Sequence, residues 1–387
     1  MEVSIIGAGL SGLTLALALH EQGIPAVVYE SRPAPLAIGG AVMLSPNALR
    51  VLDNLGLYSI VKDKGYNFDI LEYKNVDGDI LDVQEFGSQE KYGYRGLRIY
   101  RHVLIDTLVE TLQSKGVEVR YGHAFSHVVE ETDQGVTFAF KDGTTVSSTI
   151  LVGADGIHST VRRYIYPELG TKFIGMAGIT AAVPTSQLKL PEGYHLPTTI
   201  MSPKGAFQRV AEGSHANWER EFVADKEAGL KFLQEGNDHF PEFVRNAVSH
   251  ISLDKVNKWP FFVVPRLEKW ASASLKVIIV GDAAHAIPPS AGQGINQAFE
   301  DVYMLALLVR QSKTAEESKA ALSFWQTYRQ ERVDKILELN KQIDLRRMPN
   351  PGNEAGGQTD KLPFELGWLY EPDFKGIVDE YVNKSKN

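Results

Sequence analysis

Two stretches of this sequence place glycines and carboxylates where chemistry can use them. The first is Gly7-Ala8-Gly9-Leu10-Ser11-Gly12, with Glu30 eighteen residues beyond. In a strand-to-helix turn, Gly7 permits the sharp bend, Gly9 lets the backbone approach a pyrophosphate, and Gly12 lets the helix pack on the strand. A carboxylate placed like Glu30 accepts hydrogen bonds from ribose hydroxyls. The second stretch runs Gly281-Asp282-Ala283-Ala284-His285-Ala286-Ile287-Pro288-Pro289-Ser290-Ala291-Gly292-Gln293-Gly294-Ile295-Asn296. Asp282 stands where an apolar run ends, a place from which a side chain can bind polyol hydroxyls. Pro288, Pro289, Gly292 and Gly294 hold the following loop open. Backbone N–H groups at the next helix start would converge on an electron-rich ligand. A surface turn uses the same residue types, but it would have to explain a buried strand running straight into it. A third turn, Gly153-Ala154-Asp155-Gly156, repeats the carboxylate–glycine pattern, and taken singly it reads equally as a plain turn.

Each of these turns needs a strand that ends on it. Residues 1–6 read as a short strand, 13–20 as a strong helix former stopping near Gly23, and 24–29 as a second strand closing on Glu30. With strand, helix, strand and acid in register, the glycine fingerprint becomes a dinucleotide site, although it does not separate FAD from NAD. The runs 150–152 and 277–280 have the length and apolarity of buried strands, and apolar residues recur at helical spacing from 294 to 309. Carboxylates at such strand ends stand where open α/β sheets put their ligands. Between them, Gly39-Gly40-Ala41 is a glycine loop that can run close to a ring system or simply turn. Residues 66–83 alternate as strands around Asp77-Gly78. Arg101 opens an amphipathic helix, against the helix dipole; a phosphate or a surface ion pair would explain it.

Composition bounds the function. At 387 residues the chain exceeds one hydrophobic core, so two domains are expected. A net charge of −8 argues against nucleic acid or an anionic membrane as the main partner. Cysteine is absent, which removes disulfides, thiolate nucleophiles, Cys-ligated zinc and iron–sulfur clusters. The apolar stretch 3–19 lacks the basic flank of a signal peptide, and no stretch has the length of a membrane span. The expectation is a soluble, cytoplasmic protein, a monomer or homodimer.

Residues 177–264 change character, with short aromatic strands, Pro184, Pro191, Pro197 and Pro203, and helices near 227–235 and 240–250. They read as a sheet domain inserted before the closing strand of the first domain, which spans 1–176 and 265–345. Tyr194, His195, Gln208 and Arg209 are candidate lining residues of a cleft, Arg209 on a strand, though a surface role suits each of them. Residues 315–347 form one long helix or two, 348–363 a linker, and Trp368-Leu369-Tyr370 docks the tail, so 346–387 is linker and docking segment.

In order and spacing, the three turns resemble the single-component FAD-dependent aromatic hydroxylases, the para-hydroxybenzoate hydroxylase group of flavin monooxygenases, over residues 1–345. The salicylate hydroxylase-like and tetracycline-inactivating branches are the most similar. The resemblance implies an α/β fold: a Rossmann-like, three-layer FAD-binding domain with an inserted β-sheet substrate domain and C-terminal helices. It implies non-covalent FAD, with Gly7, Gly9, Gly12 and Glu30 on its ADP half and Arg101 on the pyrophosphate or ribityl chain. Gly281 and Asp282 would serve the ribityl hydroxyls, Gly292, Gly294 and Ile295 would offer N–H groups to the pyrimidine ring, and Ala41 would lie in the first flavin loop. Asp155 is associated with both FAD and transient NAD(P)H binding. Pro288 and Pro289 would lie beside the reactive edge of the isoalloxazine. Arg209 or His195 would favour a substrate phenolate. NAD(P)H then reduces the flavin, O₂ adds as a C4a-hydroperoxide, and one oxygen hydroxylates or epoxidises a small aromatic or polycyclic substrate. The chemistry is mostly the cofactor's, and the protein positions the substrate and excludes water. No metal is implied. One departure is Gly39-Gly40-Ala41, where the family has Gly-Ala-Gly.

Two rivals share the fold: a flavin oxidoreductase that inserts no oxygen, and a flavin-free binding protein. Intact Gly9, Glu30 and Asp282 oppose the second. A nicotinamide-only dehydrogenase would leave the 281–296 loop unexplained.

Overall fold

In the computed structural model, five short apolar strands form the central parallel sheet. Their order is Val277–Ile279, Ile150–Gly153, Val3–Ile6, Ala26–Glu30 and Glu118–Tyr121. The structure describes residues 2–35, 40–202, 208–209, 218–235, 237–312, 314–347 and 363–385. Val3–Ile6 and Val277–Ile279 are buried along their whole length, as expected for parallel strands covered on both faces. The helix Leu10–Glu21 is apolar nearly all round, and it packs between this sheet and the helix Gly294–Gln311. An antiparallel meander, Phe125–Thr132, Gly135–Phe140 and Thr145–Ser148, adds a further layer. The fold class is the Rossmann-like α/β architecture that the sequence implied.

The second sheet region pairs Lys172–Ala181 with Val256–Val263 and Gln208–Arg209. Its first strand begins at Lys172, a few residues before the expected boundary. The hairpin Ile70–Lys74 and Ile80–Glu85 pairs with Thr198–Ile200, so a stretch read with the first domain joins a sheet with the second. A helix at Trp218–Ala224 adds to the two expected there, which lie at Lys226–Gln234 and Glu242–Ser249.

Residues 315–347 are one continuous helix, Ala315–Arg347. The tail returns as Gly367–Tyr370 and Phe374–Ser385. Leu366, Leu369 and Tyr370 bury themselves with Tyr92, Ala291, Ile336, Leu339 and Ile343 in a second apolar cluster. That cluster lies directly behind the 281–296 loop. The expected linker, 348–363, lies outside the described residues except for Pro363. No helix among the described residues is long and apolar enough to cross a membrane.

Candidate cofactor site

The three turns meet because their strands are neighbours. Ala154 N–H donates to Ile6 O (2.9 Å) and Val280 N–H to Gly153 O (3.0 Å), which ties the three strand ends together. At Gly12 a Cβ would stand 2.0 Å from Gly7 O, so helix and turn touch as only glycine allows. At Gly9, Gly40 and Gly294 a Cβ would meet nothing within 4 Å. The backbone at these three places faces open space. Gly281 closes the set from the other side, its Cβ position 2.9 Å from Ser11 Oγ.

The acids at the strand ends are held differently. Glu30, buried, accepts hydrogen bonds from Ala8 N–H (2.8 Å), Ser31 Oγ (3.1 Å), Arg32 N–H (2.9 Å), and Arg32 Nε (3.0 Å) and Nη2 (3.1 Å). Burial pushes its carboxyl up, but the Arg32 and Ala8 hydrogen bonds outweigh that and hold it below the ordinary glutamate value. A carboxylate offers about four lone-pair sites, so a ribose hydroxyl must displace one of these donors. Arg32, whose side chain is 34% exposed, is the one with room to leave.

Asp155 is engaged as well. It accepts from Ser159 Oγ (2.5 Å), Thr160 N–H (2.7 Å) and Val161 N–H (3.1 Å), capping the helix Thr160–Ile165. Burial nevertheless leaves its carboxyl above the usual aspartate range. Its turn presses on the nucleotide motif, because a Cβ at Gly7 would lie 2.6 Å from Ala154 O.

Asp282 differs from both. No described residue donates a hydrogen bond to its carboxylate. The side chain is exposed, yet the protein surrounding it raises its carboxyl pKa; His285 and Arg101 oppose that rise and Asp301 adds to it. The carboxylate is therefore reachable by solvent while protein crowds around it, and Arg101 is near enough to feel its charge. Burial lowers the pKa of Arg101, Asp282 opposes that, and among the described residues the arginine forms no ion pair within 4 Å. Its N–H donates to Gly40 O (3.3 Å), which ties the helix start to Gly40; Ala41, expected in the flavin loop, instead opens the strand Ala41–Leu44 and pairs with Tyr100. The surface ion pair weighed for Arg101 is therefore not what the fold builds.

Behind the loop lies a charged network that sequence reasoning missed. Arg329, fully buried, donates from Nε to Asp301 Oδ1 (2.8 Å), from Nη1 to Glu300, and from Nη2 to Gln297 Oε1 (2.6 Å). Arg332 bridges both Glu300 oxygens (2.7 and 2.8 Å). Burial pushes Glu300 and Asp301 up, but Arg332 and Arg329 hold Glu300, and His285 and Arg329 hold Asp301, below their ordinary values. Asp301 also receives Gly281 N–H (3.0 Å) and stands 2.5 Å from His285 Nε2. Asn47 joins Glu300 (2.6 Å) to Gln293 (3.3 Å), and Asn296 accepts from Ser45 N–H (2.9 Å) while donating to Gly292 O (2.7 Å). The signal was present: polar residues at 296, 297, 300 and 301 interrupt the apolar periodicity of a buried helix, with arginines at 329 and 332 on the next. Buried charges must be paired.

The loop 281–296 is less irregular than its prolines suggest, holding a helical turn at Asp282–His285 and a 3₁₀ turn at Pro289–Ala291. Gly292, at φ +64°, sits against the Phe86 ring, its Cβ position 3.1 Å away, with the Met43 methyl at 3.6 Å. The second sheet region therefore reaches the loop through Phe86. Pro288 is half-buried and Pro289 exposed. Arg209 pairs with Met176 in its strand; its side chain lies outside what is described. His195 Nε2 meets Ile70 O (3.1 Å), and the Tyr194 ring packs at a tilt of 52° against Phe243. Neither contact belongs to the loop.

A family profile for the FAD binding domain matches residues 1–340. Among curated relatives, 3-amino-4-hydroxybenzoate 2-monooxygenase of Streptomyces cremeus is 28% identical over 96% of this chain and 95% of its own. The solved structure of CtdE, with FAD and a substrate, superposes with a TM-score of 0.81 at 20% identity, covering 99% of this chain and 98% of that one. HpxO of Klebsiella pneumoniae, with FAD and uric acid, gives 0.73 at 22% identity, covering 99% and 96%.

Proposed function

From the premise that this chain belongs to the FAD binding domain family, with FAD-dependent monooxygenases as its relatives and FAD as its cofactor, we propose that it hydroxylates or epoxidises a small aromatic or polycyclic substrate with NAD(P)H and O₂. The observation that carries the reading is Asp282, an exposed carboxylate at a strand end to which no described residue donates a hydrogen bond, together with the open space left at Gly9, Gly40 and Gly294. A structural acid at a strand end would be satisfied as Asp155 is. A free one awaits hydroxyl donors, and a ribityl chain supplies them.

Gly9 and Gly12 bring the backbone to the pyrophosphate, with Glu30 on the ribose. Arg101 neutralises a phosphate across from Asp282. Gly292 N–H is already taken by Pro289 O (2.8 Å), so the N–H groups of Gly294 and Ile295 would serve the pyrimidine edge, and Gly40–Ala41 would pass the other side of the ring. Asp155 contributes by fixing the turn beside Gly7. Pro288 and Pro289 would border the reactive edge of the ring, and Arg209 is the candidate to favour a phenolate. The bound flavin, once reduced, supplies the oxygen chemistry. The protein's share is to hold the substrate and keep water out. The relatives named above act on, or were solved with, a hydroxybenzoate and uric acid, so planar, oxygen-bearing rings are the class to screen.

The test is a screen of the FAD-loaded protein with ¹⁸O₂. Substrate-dependent NAD(P)H oxidation with one labelled atom in the product is expected. NAD(P)H oxidation with no label in any product would favour the oxidoreductase that inserts no oxygen.

A further inference from the structure

We propose that Asn340 is a positioning residue for the flavin-head loop, clamping the Pro288–Ala291 backbone from the long helix behind it. The inference rests on reading 281–296 as that loop. Asn340 is 3% exposed and uses both ends of its amide on one turn. Its Oδ1 accepts from Ala291 N–H (2.6 Å), and its Nδ2 donates to Pro288 O (3.3 Å). Gly292, the first of the residues assigned to the ring, follows directly.

A turn of Pro-Pro-Ser-Ala cannot hold itself in place. Proline lacks an N–H, and the backbone bond closing the turn is Gly292 N–H to Pro289 O (2.8 Å). Its location relative to the rest of the fold needs an outside anchor, and Asn340 supplies one. The same helix carries Arg332 two turns earlier, which grips Glu300 on one side and the tail carbonyls of Trp368 (2.7 Å) and Leu369 (3.1 Å) on the other. Ala291 in turn packs in the apolar cluster with Leu366, Leu369 and Tyr370. The helix is thus fixed from both sides, and Asn340 passes that rigidity to the loop. Precise placement of ring-facing donors is what a bound flavin needs from the protein.

Asn340→Ala removes both bonds. Asn340→Asp keeps the acceptor for Ala291 N–H and turns an oxygen toward Pro288 O. In FAD-free protein, amide exchange at Ala291 is expected to rise about tenfold in the alanine variant, the loss of one amide hydrogen bond, and less in the aspartate variant. Exchange in the central sheet at Ile5, Val152 and Ile278 stays as in the parent. With FAD bound, the flavin midpoint potential shifts in the same graded order. Unchanged exchange at Ala291 in a variant that keeps its central-sheet protection overturns the clamp. Faster exchange with an unmoved potential overturns its role at the flavin. Should the alanine variant fail to fold, the aspartate variant decides by the same readings. A parent chain that takes up no FAD defeats the functional reading instead, because the exchange at Ala291 is read without the cofactor.

Discussion

Replacing Asp282 by asparagine should stabilise the FAD-free protein and weaken its hold on FAD. The parent carboxyl has a raised pKa because burial disfavours its charge, and no described protein group donates to it. A carboxyl whose pKa is higher folded than unfolded contributes stability that is full below its unfolded value and lost as pH rises through its folded value. FAD-free parent protein should therefore lose stability as pH climbs from about 4 through that elevated pKa. The asparagine variant carries no charge to desolvate and should lack that loss, so its advantage appears at pH 7 and vanishes near pH 3. With FAD the sign reverses. A hydrogen bond to a charged acceptor contributes about 1.5–3 kcal/mol, so losing one should weaken FAD binding about ten- to hundredfold. Urea unfolding of FAD-free protein between pH 4 and 8, beside fluorescence titration with FAD, measures both. A variant that is less stable without FAD at pH 7 and binds FAD as tightly as the parent would refute the reasoning on both counts.

Gly9 and Gly12 should separate folding from binding. Gly9→Ala puts a methyl into open space, so the chain should fold with near-parental circular dichroism yet emerge colourless. Gly12→Ala puts a methyl 2.0 Å from Gly7 O and should lower the unfolding midpoint even without FAD. Arg329→Met leaves Glu300 and Asp301 buried with too little compensation, a loss of about 3–5 kcal/mol readable by chemical denaturation. A small change there would mean that Arg332 and His285 suffice.

The chain of inference from spacing to cofactor needed only local residues. Glycines at 7, 9 and 12, an apolar run ending at Asp282, and a helical period from Gly294 each depend on neighbours within one supersecondary unit, and such patterns are set by backbone geometry that a sequence displays directly. The strand ends and the helix start at Arg101 were legible for the same reason. What tertiary structure alone decided was which groups are already satisfied. Asp155 and Asp282 look alike as Asp beside Gly at a strand end, yet one caps a helix and the other receives no hydrogen bond from any described residue. That difference depends on which amides fold back onto the carboxylate. Asn47 meets Glu300, Arg332 meets the tail, and Ile70–Lys74 pairs with Thr198–Ile200, across separations of 253, 36 and about 125 residues. Pairings at such distances leave no period in the chain, because a buried charge is stabilised by its partner in space and not by its neighbours in sequence.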